Sequence, residues 1–157
     1  MKKILYCLVL AVMLTACGGG SKKTGASQDE APKKVGDIIT VNGAEGVVFE
    51  VSADGQHGLV MSVLEGDRRW VKAGEWCSQY GEGWRLPSVK ELKTIYEDRD
   101  VLNLALSVKG CQTLVQGLYW SSEQAEPERA WFVRMYNGST GSNRKYNDYY
   151  VRAVSAF

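Results

Sequence analysis

His57 is the only histidine in the sequence, and no Cys-x-x-Cys or His-x-x-x-His spacing occurs anywhere in it. Nucleophilic catalysis needs a base within hydrogen-bond reach of the nucleophile, and metal centres are announced by closely spaced Cys and His ligands. His57 therefore reads as a structural residue at a strand start, and neither a metal nor a cofactor is expected. Glu91, Glu97, Asp98, Glu123, Glu126 and Glu128 could supply the two carboxylates of glycoside hydrolysis. They fall on a helix surface or in the acidic loop "EQAEPER", where solvated charge is the plainer explanation. "GEGWR" lacks the spacing of a phosphate-cradling glycine loop. The inventory points away from an enzyme.

What remains is "YNGSTGSNRKYNDYY", Tyr136 to Tyr150, set between the strand-like ends "AWFVRM" and "VRAVSAF". Tyrosine offers rigid contact area with one polar tip, and Ser, Gly and Asn offer adaptable hydrogen bonding, the mixture used by binding surfaces. The candidate contact residues are Tyr136, Asn137, Ser139, Asn143, Arg144, Tyr146, Asn147, Asp148 and Tyr149, with residues between Ser122 and Arg129 as a second rim. The ligand they suit is a glycan or a protein. The alternative is a solvated hairpin, with some of the rings packed on Trp120 or Trp131.

Such a segment needs a stiff scaffold. "IITV", "GVVFEVS" and "HGLVMSVLE" are punctuated by Asn42-Gly43 and Ala53-Asp54-Gly55 and predict an antiparallel meander. "VKAGEWCSQYG" predicts a short helix ended by Gly81. "PSVKELKTIYEDRD" opens on a capping box, Ser88-x-x-Glu91, and repeats Leu92, Ile95 and Tyr96 at helical spacing. "DVLNLALSVKG" predicts a third helix closed by Gly110. The short "LYWSS", then "AWFVRMY" and "YYVRAVSAF", return to strands. Strands, helices, strands in one small domain give an α+β class, with two or three short helices beside small antiparallel sheets.

The first residues set the compartment. Lys2 and Lys3 precede an apolar run, Ile4 to Met13, too short to span a bilayer and typical of an export signal. "LTAC", Leu14 to Cys17, resembles the bacterial lipobox, which implies cleavage after residue 16, lipidation of Cys17 and a place in the cell envelope. Gly18 after that cysteine implies the outer membrane by resemblance to lipoprotein sorting. Residues 17–36 have almost no large apolar side chain and read as a flexible tether, leaving 37–157 as the domain. Loss of Lys2 and Lys3 leaves 17 basic against 18 acidic residues, so nothing favours nucleic acid as a partner. In an oxidising compartment Cys77 and Cys111 are either bridged or separately buried.

"GWRLPSVKELKTIY", "YWSSE", "AWFVRMYNG" and "YYVRAVSAF", in that order, resemble the Lcl C-terminal-domain (collagen-like adhesin) family. The same blocks are similar to target proteins of diversity-generating retroelements. The resemblance implies a C-type-lectin-like fold, ligand contacts on one loop-rich face, and core or turn roles for Trp84, Arg85, Leu86, Pro87, Trp120, Ser121, Ser122, Arg152 and Phe157. A buried Arg85 or Arg152 would need a carboxylate or carbonyl partner to offset desolvation, and Glu91 is the expected candidate. The retroelement likeness implies that the polar-aromatic segment is diversified. Two rivals follow: a structural subunit of an envelope appendage, and an oxidising enzyme of the formylglycine-generating type, whose cysteine pair Cys77 and Cys111 do not reproduce.

Overall fold

The computed structural model describes residues 31–157. The export signal, Cys17 and most of the tether lie outside the described residues. Strands β1 (Ile38–Val41), β2 (Ala44–Val51) and β3 (Gly58–Ser62) form the expected meander. Asn42 and Gly43 both take positive φ, 49° and 82°, at the β1–β2 turn, the conformation that matches strand twist in a two-residue hairpin. Backbone hydrogen bonds tie the end of the expected tether to the meander: Lys33 donates to the Gly55 carbonyl (2.9 Å) and Gly36 to that of Val48 (2.9 Å).

The meander turns at residues 63–65 into a short charged strand, β4 (Gly66–Arg69), which hydropathy did not mark. Three helices follow: α1 (Trp70–Tyr80), α2 (Val89–Glu97) and α3 (Arg99–Lys109). Both halves of the capping box form at α2: Ser88 Oγ accepts from the Glu91 amide (3.1 Å), and the Glu91 carboxylate accepts from the Ser88 amide (2.7 Å). Gly110 closes α3 in the left-handed conformation, φ 79°, which a residue without Cβ adopts at little cost.

Then come β5 (Leu118–Glu126), β6 (Arg129–Arg134), β7 (Thr140–Arg144), β8 (Asp148–Val151) and β9 (Val154–Ala156). The strands make two sheets, ordered β1-β2-β3-β9 and β4-β8-β5-β6-β7, antiparallel except where β8 runs parallel to β5. "EQAEPER", expected as a loop, is instead the end of β5, a tight turn and the start of β6. "YYVRAVSAF", expected as one strand, is broken at Arg152–Ala153, so that β8 and β9 serve different sheets.

The break has a physical cause. Arg152 is fully buried and turns its guanidinium onto Glu65 Oε2 (3.0 Å), the carbonyls of Ser62 and Val63 (3.0 and 2.8 Å) and that of Gln112 (2.6 Å). Tyr119 Oη donates to the same Glu65 oxygen (2.5 Å) and accepts from the Val115 amide (2.8 Å). Glu65 is thus the acidic partner of Arg152, and Glu91, the expected candidate, pairs with Arg85 instead in a two-pronged contact (2.9 and 2.6 Å), as expected for that arginine. Burial pushes the Glu65 carboxyl above its ordinary value, against the pull of the Arg152 charge and the Tyr119 hydroxyl. A buried pair of this kind is tolerable because every polar group in it is satisfied.

The central strands β2, β3, β5 and β6 contribute side chains to two cores. Val47, Phe49, Met61, Tyr119 and Val133 face one core with Leu92, Ile95, Leu102 and Leu106 from α2 and α3. Val48, Val60, Trp120, Phe132 and Val151 face a second core with Ala73 and Cys77 from α1. This arrangement keeps the cysteines apart. Cys77 lies inside the second core, Cys111 packs at the margin of the first, and both are free thiols. The Cys77–Cys111 bridge does not form. Burial pushes the Cys77 thiol up to about 12, which makes it a small apolar core residue rather than a nucleophile. The whole is an α+β domain with two small, mostly antiparallel sheets and three helices, as a lectin-like domain requires.

Candidate ligand-binding surface

Hairpin β6–β7 carries the polar-aromatic segment, and its geometry divides the candidate residues. Val133 pairs with Thr140 near the β6–β7 turn, and Arg129 pairs with Arg144 at the other end. Four residues of strand separate these pairs, about 13 Å. Tyr136, Asn137 and Ser139 therefore sit at one end, and Arg144, Tyr146, Asn147 and Asp148 at the other. The structure does not bring the two groups together.

The first end satisfies itself. Asn137 Oδ1 accepts from the amide and hydroxyl of Ser139 (3.0 and 2.7 Å), and Arg134 donates to Ser139 Oγ and the Thr140 carbonyl (3.1 and 3.0 Å). Gly138, at φ 70°, lies against α2; a Cβ there would meet Tyr96 at 2.5 Å. The exposed Tyr136 ring is the large apolar face this end offers to an outside partner.

Two candidates turn inward. Tyr149 lies across three strands of the second sheet. Its ring stacks on Trp120 from β5 (4.4 Å between centroids) and meets Phe132 from β6 edge-on (5.4 Å), and its hydroxyl accepts from Asn143 on β7 (2.5 Å). Tyr149 and Asn143 are thus a half-buried strap across the sheet, engaged with the scaffold. Tyr150 likewise packs beside Tyr119 (5.5 Å). Periodicity cannot reveal this, since β8 lies between two strands far back in the sequence, antiparallel to β4 and joined to β5 by one parallel pairing, Tyr119 with Tyr150.

The second end is a platform. The β7–β8 turn is pinned by Lys145, whose ammonium lies 4.5 Å from the Trp70 ring centroid and donates to Gln124 Oε1 (2.7 Å) and the Pro127 carbonyl (2.8 Å). The Lys145 amide donates to the Glu128 carbonyl (3.0 Å), the Trp70 amide donates to the Lys145 carbonyl (3.0 Å), and the Asn147 amide closes the turn on the Arg144 carbonyl (3.1 Å). Above these fixed points Tyr146 stands 54% exposed, its hydroxyl accepting from Arg144. Two clefts adjoin the ring. One, about 470 Å³, is lined by Glu126, Glu128, Arg129, Arg144 and Tyr146. The other, about 520 Å³, is lined by Arg69, Val71, Lys72, Pro127, Glu128, Lys145 and Tyr146. Arg129 is itself held by Ser142 Oγ and the Ser142 carbonyl (3.2 and 2.5 Å). An exposed aromatic face beside the held Arg129 guanidinium and the exposed Glu126 and Glu128 carboxylates suits a polar ligand with an apolar side.

Of the expected rim between Ser122 and Arg129, Glu126, Pro127, Glu128 and Arg129 line the clefts beside Tyr146. Arg69, Val71 and Lys72 were not foreseen, because the start of α1 gives no local sign that it will meet a turn more than 70 residues later.

The Lcl C-terminal domain family matches residues 43–155, from the β1–β2 turn to β9. The chain belongs to that family. Membership of the Lcl C-terminal domain family points to adhesin-like surface proteins. No curated protein gives a significant match.

Proposed function

We propose that this Lcl C-terminal domain protein is a lipid-anchored envelope protein that binds a glycan or protein ligand on the Tyr146 platform, without breaking bonds. The observation that carries the reading is the exposed Tyr146 ring between two clefts on a turn fixed by Lys145, Trp70 and the β5–β6 turn. The lipobox at Leu14–Cys17 supplies the anchor and the envelope location, with the outer membrane favoured by Gly18. An oxidising-enzyme reading fits less well, because Cys77 and Cys111 face different cores. If a retroelement diversifies the segment, variation belongs at Tyr136, Arg144, Tyr146 and Asp148, whose side chains reach outward, and not at Asn143 or Tyr149. A glycan array and a panel of matrix proteins, probed with the wild type, Tyr146→Ala, Arg129→Ala and Tyr136→Ala, test the site. Loss of binding in the first two variants, with Tyr136→Ala unchanged, supports it; the reverse pattern moves the site to the other end of the hairpin.

A further inference from the structure

Helix α3 carries more apolar surface than the fold uses. Leu102 and Leu106 fill the core, while Val101, Leu104 and Val108 are 48%, 66% and 81% exposed. With about 100° between successive residues, those three form a second stripe on one side of the helix, joined to the buried one through Ala105. A stripe about 100° wide is enough to seat a helix on its core; this one continues well past it. Of the eight exposed large hydrophobic residues among the described residues, three are on α3 and two, Val71 and Tyr146, line the cleft beside the β7–β8 turn. Beside the stripe a groove is lined by Val35, Gly36, Asp37, Ile38, Val101, Leu104, Ala105 and Val108.

That groove is where the chain enters the domain: Val35 and Ile38 form its other wall. Only 13 residues separate Cys17 from Ala31, and a chain of that length and composition spans about 20 Å. We infer that the Val101–Leu104–Val108 stripe docks on the bilayer that holds Cys17, fixing the orientation of the domain. The inference rests on the anchored reading above, because the tether holds the stripe at a high effective concentration near lipid, so that a contact too weak to recruit a free protein can persist. Lys34 adjoins the groove in sequence and can reach headgroups with its stem on the apolar surface, whereas Lys109, next to Val108, is paired with Glu45 (2.6 Å). Asp37 is the one acid lining it and accepts from the Lys34 amide (2.8 Å). Tyr146 sits instead on the start of α1 and the β5–β6 turn, away from α3, which packs on α2 and β2, so docking leaves the binding platform open.

The test uses the full chain, purified from membranes and reconstituted at one copy per nanodisc of phosphatidylethanolamine and phosphatidylglycerol. Leu104→Cys, and separately Glu128→Cys as control, carry an environment-sensitive fluorophore in a Cys111→Ser background, with Cys77 protected by burial. Brominated lipid should quench the label at 104 at least twofold and leave that at 128 untouched, and adding Val101→Glu with Val108→Glu should abolish the quenching. Equal access of iodide to both labels overturns the proposal. So does shielding that appears only in discs holding two copies, which assigns the stripe to self-association. Shielding without bromolipid quenching also overturns it, by assigning the groove to the chain's own residues 18–30. The mass of Cys17 separates the two readings: an unacylated chain removes the anchor and the docking together, whereas an acylated chain with an unquenched label removes docking alone.

Discussion

Replacing Tyr149 by alanine would remove a ring held by Trp120 at 4.4 Å and Phe132 at 5.4 Å, together with the hydroxyl that receives Asn143. A fully buried aromatic cut to alanine costs about 3–5 kcal/mol. Tyr149 is half-buried, so the expected loss is about 2–4 kcal/mol, of which each aromatic pair accounts for about 0.5–1.5. For a domain of this size 1 kcal/mol corresponds to roughly 3–4 °C, giving a fall in Tm of about 6–16 °C. Tyr149→Phe keeps the stack and removes one hydrogen bond, about 0.5–1.5 kcal/mol. Tyr146→Ala, on the outside, should stay within about 0.5 kcal/mol of wild type. Thermal and urea unfolding followed by near-ultraviolet circular dichroism separates the three. A Tyr149→Ala protein that melts within 2 °C of wild type would show that the ring is not part of the core and would undo the division between strap and platform.

Glu65→Ala should cost about 3–5 kcal/mol in urea unfolding, because it strands the Arg152 charge among carbonyls inside the fold. Burial tends to raise the Glu91 carboxyl, but the Arg85 pair and the Ser88 amide outweigh it and hold it below its ordinary value. Its contribution to stability is therefore complete above the unfolded-state carboxylate range and is lost as pH falls through the lower folded value. The stability gap between wild type and Glu91→Gln should accordingly be widest above pH ~5 and shrink towards pH ~3. Both domain thiols should be free by mass after alkylation in denaturant, with Cys77 inert in the native protein at pH ~8 while Cys111 reacts; a mass 2 Da lower before reduction would contradict the separate cores.

Much of this scaffold could be read locally. The Asn42-Gly43 turn, the Ser88–Glu91 box and Gly110 each state their conformation in two to four residues, and each is found where expected. The failures share a cause. β4 is charged because it is an edge strand with three exposed residues, so no apolar pattern marks it. The break at Arg152 depends on Glu65, 87 residues away. Tyr149 looks like Tyr146 in sequence and differs only in which strands lie beneath it. The polar-aromatic segment could be named from its composition; which of its side chains face outward could not, because that is decided by pairing order and not by period.

The chain closes its first sheet by adding β9 beside β3, and its second by running β8 alongside β5. Neither pairing can form until a long intervening stretch has been gathered in, so loop entropy must be spent before those contacts return anything. The rate of folding bears that burden more than the final stability does. Refolding from urea should accordingly take milliseconds to seconds, slower than a helical bundle of equal length, with β3 waiting unpaired along one edge until the last strand arrives.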